Sequence, residues 1–268
     1  LGEYDIQYHQ ILGNHDVMYK NTNDISSFKE LFINYDSHVS IYEQATEVIF
    51  DDLKILFVPW INDENREHTL ELLRTTNAPI CFGHLELQGF QMYKGSIVSH
   101  GDDPKLFDRF DLVASGHYHH RSSSGNINYL GTHAEFTWAD YDDPRGFHIF
   151  DTKKRSLDFL RNPETMFKKV WYNDEDKEYN DLIDINFDEY TNKMVKVIVT
   201  NKSNPYWFDQ FIEKLEESNP VELQIVEDHL HMDIQHDNDI IDEAESTVDI
   251  FKRFIDFVMH NQILGTRL

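Results

Sequence analysis

The sequence predicts an α/β fold, and three observations carry that reading. Short apolar runs such as "PICF" and "LVAS" fit strands buried on both faces. Segments with leucine at helical spacing alternate with them, as in "DENREHTLELLRTT". Three of the runs end alike, in glycine followed by polar side chains: "QIL" in Gly13-Asn14-His15-Asp16, "PICF" in Gly83-His84, and "LVAS" in Gly116-His117-Tyr118-His119. Ligands of open α/β sheets bind beyond the carboxyl ends of the strands, so these three tips can meet in one crevice.

In chain order, "IQYHQIL" opens as a strand, and Ser27 with Glu30 offers a capping box for a helix through "FKELFINY". "EVIF" and "KILFVPWI" read as a hairpin turning at Asp51-Asp52. The helix "DENREHTLELLRTT" sets Leu70 and Leu73 on one face, and the buried strands "APICFGH" and "DLVASGH" follow. "NINYLGT" adds a strand and "RGFHIFDTKKRSLDFLRN" a hairpin. Beyond Pro163 the pattern changes: "MVKVIVTN", the helix "PYWFDQFIEKLEES" and "VELQIVED" form a small β-α-β unit. An amphipathic helix around "STVDIFKRFIDFVMHN" closes the chain. These shifts divide the sequence at 1–165, 166–228 and 229–268.

Composition narrows the function classes. With 268 residues, 40% of them hydrophobic, and 19 Phe and 13 Tyr, the chain can bury a sizeable core. It has neither an eighteen-residue apolar run nor a basic-then-apolar leader, so a cytoplasmic protein is expected. The single cysteine, Cys81, excludes an internal disulfide and reads as a buried thiol. A net charge of −25 argues against a broad basic surface for nucleic acid. Two acidic runs, 173–189 and 227–245, read as solvated linkers.

The glycine at each strand tip lets the chain turn and approach a ligand closely. In "GHYH", the i, i+2 spacing would place both imidazoles on one side of extended chain, able to address two adjacent metal ions. A lone Gly-His is more often a structural histidine; the ordered set GNHD, GH, GHxH is specific. Competing candidates are weaker. "HHRSSSG" lacks the G-x-S-x-G elbow of a serine nucleophile. His229, His231 and His236 read as solvated. Trp60 and Trp138 could stack on a base or fill core, and Arg145 in "DDPRGF" would pair with a neighbouring acid.

The ordered tips, with "GHLELQGFQMYKGSIVSHG" (83–101), "ASGHYHH" (114–120) and "YLGTHAEFTWADYDDPRGFHIFDT" (129–152), resemble the calcineurin-like metallophosphoesterases. More narrowly they resemble the SbcD-type nuclease subunits of double-strand-break repair, including their T-even bacteriophage branch. The resemblance runs over about residues 6–160. It implies a metallophosphoesterase sandwich, two β-sheets flanked by helices, followed by a small α+β capping domain and a C-terminal helix. It implies two divalent ions, Mn²⁺ foremost with Mg²⁺ or Zn²⁺ as alternatives. Asn14, His84 and His117 would ligate one ion and His119 the other. His15 would face the scissile phosphate as a catalytic group, with Asp16 orienting the loop or His15. His100 and His133 would border the cleft.

The same family places an Asp-x-His and a Gly-Asp motif before the asparagine, and neither precedes Asn14 here. Because the sequence opens on Leu1 and one βαβ unit takes about 30 residues, an N-terminally truncated domain is expected, incomplete in its first βα units. Such a chain would bind metal poorly and have little or no activity. The implied function is the nuclease subunit of an ATPase-coupled DNA repair or recombination complex. A phosphatase or cyclic-nucleotide phosphodiesterase of the same fold, or a non-catalytic scaffold subunit, are the alternatives. DNA is the implied partner, together with an SMC-like ATPase gripped by the heptad-like seam Val248, Phe251, Ile255 and Val258. The resemblance also implies a homodimer. Packing of that last helix on its own domain competes evenly with the ATPase role.

Overall fold

Strand β1 (Tyr8–Ile11) pairs in parallel with β2 (Val39–Tyr42), and the short helix α1 (Ser27–Leu31) lies between them in sequence. The computed structural model describes residues 2–4, 6–34 and 37–227. The expected closing helix with Val248, Phe251, Ile255 and Val258, and the histidines at 229, 231 and 236, fall outside them. The cap of α1 is Ser26 rather than Ser27: its hydroxyl accepts from the Lys29 N–H, three residues on, as an N-cap must. The helix is five residues long and stops short of the expected "FKELFINY".

The central sheet has six strands. β3 (Thr46–Phe50) and β4 (Leu53–Val58) form the expected hairpin, with Asp51 and Asp52 both at positive φ, 48° and 67°. That geometry matches the right-handed twist of the flanking strands, and aspartate tolerates it. After helix α2 (Arg66–Thr75), β5 (Ile80–Gly83) runs parallel to β4. A small hairpin, β6 (Gln91–Tyr93) with β7 (Ser96–Ile97), precedes β8 (Leu112–Ser115), which is parallel to β5. β9 (Ser122–Ser124) and β10 (Ile127–Tyr129) complete the order β3-β4-β5-β8-β10-β9.

Period-2 alternation explains the two faces. From β4, Leu56 and Val58 point into a cluster with Leu73, Cys81, Val113 and Tyr129, whereas Leu53, Ile55 and Phe57 point into another. Ile11, Tyr42 and Phe150 pack on that second cluster, the last from the hairpin β11 (Gly146–Asp151) and β12 (Ser156–Arg161). Each fully buried aliphatic side chain here contributes about 1.5–3 kcal/mol. Cys81 is fully buried and its thiol is pushed far above the ordinary range by desolvation, as expected of a structural cysteine.

The chain divides into two units, Leu1–Glu135 with Asp142–Thr165, and Phe136–Tyr141 with the residues from Met166 onward. The second is richer than the expected β-α-β. β13 (Phe167–Asn173) pairs in parallel with β14 (Met194–Asn201), and β14 with β15 (Glu222–Glu227), with α3 (Tyr179–Ile183) and α4 (Pro205–Glu217) in the connections. The acidic run 173–189 is therefore a crossover rather than a linker. It buries Leu182, and its Asp174 accepts the N–H groups of Ser203 and Asn204 at 2.7 Å each, just before α4.

Relaxing the left-handed turn at position 52 tests the hairpin. Asp52→Gly is expected to raise the thermal midpoint by about 2 °C, because glycine adopts positive φ without a Cβ penalty. A lowered midpoint in calorimetry would count against the turn.

Candidate metal centre

The strand tips line up because the strands are in register. Val58 pairs with Gly83 and Gly83 with Ser115, so β4, β5 and β8 end level. Main-chain hydrogen bonds carry the alignment one step further, from Trp60 N–H to Leu12 O at 2.8 Å, His84 N–H to Val58 O at 2.9 Å and Gly116 N–H to Gly83 O at 3.0 Å. The loops behind are braced by buried hydroxyls. Ser115 accepts from the Leu85 N–H at 3.0 Å, and Tyr129 accepts from the Leu87 N–H while donating to Leu85 O.

Three side chains converge beyond this edge. Asn14 Oδ1 lies 2.9 Å from His84 Nε2 and 3.3 Å from His117 Nδ1, joining residues 70 and 103 positions apart. Two glycines make the space. A Cβ on Gly13 would come within 2.6–3.0 Å of three atoms of the His84 ring, and one on Gly116 within 3.3 Å of its Nδ1. Trp60 walls the group, 5.4 Å from the His117 ring and 6.3 Å from His84. Its carbonyl is held by the amides of Asn23 and Asn65. The sequence left Trp60 between base stacking and core, and nothing local marks its place against two imidazoles.

The remaining residues arrange themselves around this group. Asp16 takes the Gly13 N–H on its carboxylate at 2.7 Å, closing the GNHD turn. His15 is exposed at the next position of that turn, close enough for its charge to oppose protonation of both His84 and His117. His119 and His100 act in the same sense on His117. His119 packs its ring 5.3 Å from Tyr93, and His100 pairs with Glu86 at 2.9 Å. His117 and His119 do not share one side of extended chain, as their i, i+2 spacing suggested: His117 has φ 82°, so the backbone turns there. His133 contributes its carbonyl to the Asn162 amide. Arg145 is buried and pairs with Asp143, as expected, and it also donates to the His119 carbonyl and the Thr132 hydroxyl.

Burial, and then the neighbouring imidazoles, hold His84 down at about 3 and His117 at about 4, so both rings are neutral at physiological pH. A neutral imidazole nitrogen and an amide oxygen are ordinary ligands of a divalent cation. His117 Nε2 is buried without a hydrogen-bond partner, which leaves Nδ1, aimed at Asn14, as its ring's contact with the group. The donor set thus fits one divalent ion. Among the described residues, no three His, Cys, Asp or Glu side chains converge to hold a metal, so a carboxylate-bridged pair is not assembled by them.

The chain is 37% identical over 216 residues to exonuclease subunit 1 of Enterobacteria phage T4, across 80% of its own length and 61% of the phage protein's. The chain is thus similar to a nuclease subunit over most of its own length. The SbcD component of the SbcCD nuclease of Staphylococcus saprophyticus is 30% identical over 96 residues, 32% of this chain and 25% of that protein. No family model matches the chain. The chain spans less than two thirds of the length of either relative. No helix among the described residues is long and apolar enough to cross a membrane.

Two outcomes follow from the seating of His84. Gly13→Ala forces the ring off Asn14, so affinity for Mn²⁺ by calorimetry is expected to fall at least about tenfold while far-UV dichroism stays unchanged. Unaltered affinity would show that the ring does not need the glycine. The two depressed imidazoles also set a pH dependence. Their folded values lie below the unfolded 6.5, so their stabilising contribution is full above that pH and is lost as pH falls toward about 4 and then 3. In a chelating buffer the thermal midpoint should drop between about pH 6.5 and 5, above the carboxylate range, with a shallower slope in His84→Gln. Equal slopes would count against this assignment.

Proposed function

We propose that this chain is the catalytic-domain portion of a DNA repair or recombination nuclease subunit, hydrolysing phosphodiester bonds at the Asn14–His84–His117 group. The observation that carries the reading is the convergence of these donors from the tips of β1, β5 and β8, in a chain 37% identical to a phage exonuclease subunit. Asn14, His84 and His117 would hold a divalent ion, whose chemistry there would be Lewis acidity toward the phosphoryl oxygens and activation of water. The chain's own side chains do the rest. His15, exposed beside the group, reaches the scissile phosphate to stabilise developing charge or to protonate the leaving oxygen. Asp16 fixes the turn that presents it, and Trp60 excludes water from one side.

Mn²⁺ suits the mixed imidazole and amide donors best. A second ion would draw on His119. Because the described donors are neutral and include no carboxylate, the chain by itself binds metal weakly and cleaves slowly. Its partners are DNA and an SMC-like ATPase, the latter through Val248, Phe251, Ile255 and Val258, with a basic partner surface offsetting the −25 charge.

Calorimetric titration with Mn²⁺, alongside cleavage of linear duplex DNA and of a simple phosphodiester, tests the proposal. Expected are weak Mn²⁺ binding that His84→Ala and Asn14→Ala abolish, and slow DNA cleavage that His15→Ala lowers about a hundredfold with binding retained. Cleavage of the small ester alone would move the reading to a phosphodiesterase. Mn²⁺ binding indifferent to Asn14 and His84 would remove the proposed centre.

A further inference from the structure

A cavity opens in the first unit, where the edge of the central sheet faces the β11–β12 hairpin. It measures about 390 Å³ and is lined by His120, Arg121, Ser122, Ser123, Asn128, Tyr129, His148, Leu157 and Phe159. That size suits a small organic ligand rather than a few waters. In a chain of net charge −25, no carboxylate is among these lining residues.

The polar groups in it are left available in an unusual way. Ser122 Oγ is buried and has no hydrogen-bond partner, a state that costs about 1–3 kcal/mol unless a ligand or water relieves it. Arg121 lies with its guanidinium over the Phe159 ring, 4.3 Å from the centroid, and pairs with no carboxylate among the described residues. The ring holds the guanidinium plane and leaves its edge N–H groups to reach an anion. His148 packs at a tilt against the same ring from β11, its centroid 5.1 Å away. Burial and then Arg121 keep it below its ordinary pKa, hence neutral, with one ring N–H to donate. Other members serve as walls: the Asn128 amide is committed to the carbonyls of Val113 and Asn126, and His120 is committed to Asp143 at 2.8 Å.

We infer that this cavity binds a phosphate ester of nucleotide size, its phosphoryl oxygens accepting from Arg121, Ser122 and His148 and its apolar part resting on Leu157 and Phe159. A guanidinium, a hydroxyl and a neutral imidazole with no competing carboxylate form a set complementary to a tetrahedral dianion. The nucleotide identity rests on the nuclease reading; the phosphoryl site does not. The phosphoryl group can come from the end of a DNA strand or from a free mononucleotide. The cavity starts one residue beyond His119, so a strand end seated there would be anchored by the segment that carries a metal-centre histidine.

Calorimetry in a chelating buffer, which silences the metal centre, tests the inference on the intact chain. The probes are inorganic phosphate, thymidine, thymidine 5′-monophosphate, and short oligothymidylates with and without a 5′-phosphate. The monophosphate and the phosphorylated oligomer are expected to bind, the unphosphorylated probes much more weakly. Arg121→Gln should weaken binding about tenfold or more and Ser122→Val several-fold, with Asn14→Ala without effect. Tighter binding of the phosphorylated oligomer than of the mononucleotide assigns the source to a strand end, and the reverse assigns it to the free nucleotide; either supports the site. Arg121 is exposed, so its replacement does not threaten folding, and dichroism checks the Ser122 variant. No phosphate-dependent binding, or full affinity in Arg121→Gln, overturns the inference while leaving the nuclease reading untouched.

Discussion

The level ending of three parallel strands is the constraint on which the site depends. Hydrogen-bond register is discrete, so once Val58, Gly83 and Ser115 are paired, the residues that follow must emerge at one height. The bond from Trp60 N–H to Leu12 O brings the first tip to the same edge, although β1 pairs with β2 and not with the central sheet. A one-residue slip at β5 would turn the apolar set of that strand to the wrong face and carry His84 with it. Core packing and site geometry are therefore held by the same ladder.

Within that frame, the side chains are arranged by removal of atoms as much as by attraction. His84 sits where Cβ atoms on Gly13 and Gly116 would otherwise be, and Trp60 shields the pair of imidazoles from water. Desolvation then acts electrostatically: it favours the uncharged ring, which is the form a cation requires. The cluster of histidines strengthens this, since each would repel a proton on the next.

The residues at the strand tips were legible in the sequence because apolar runs ending in glycine and histidine combine a fold signal with a chemical one. What escaped had physical reasons. β13 reads "FKKVWYN", and its adjacent lysines mask the alternation that buries Val170 and Tyr172; Lys169 lays its amine over the Tyr141 ring. The acidic crossover reads as linker because its charge outweighs the few apolar residues, Leu182 and Tyr190, whose burial anchors it. The cap of α1 differed by one residue, since adjacent serines are indistinguishable until backbone dihedrals choose between them. Trp60 touches partners 24 and 57 positions away, beyond any local pattern.

The left-handed backbone at His117 sets stability and chemistry against each other at a single position. A side chain there carries a conformational cost of about 1 kcal/mol that glycine avoids and asparagine lessens. Selection for thermal robustness alone would thus drift position 117 toward Gly or Asn and erase an imidazole. Retention of histidine there across descendants of this gene would be a record of selection on the site rather than on the fold.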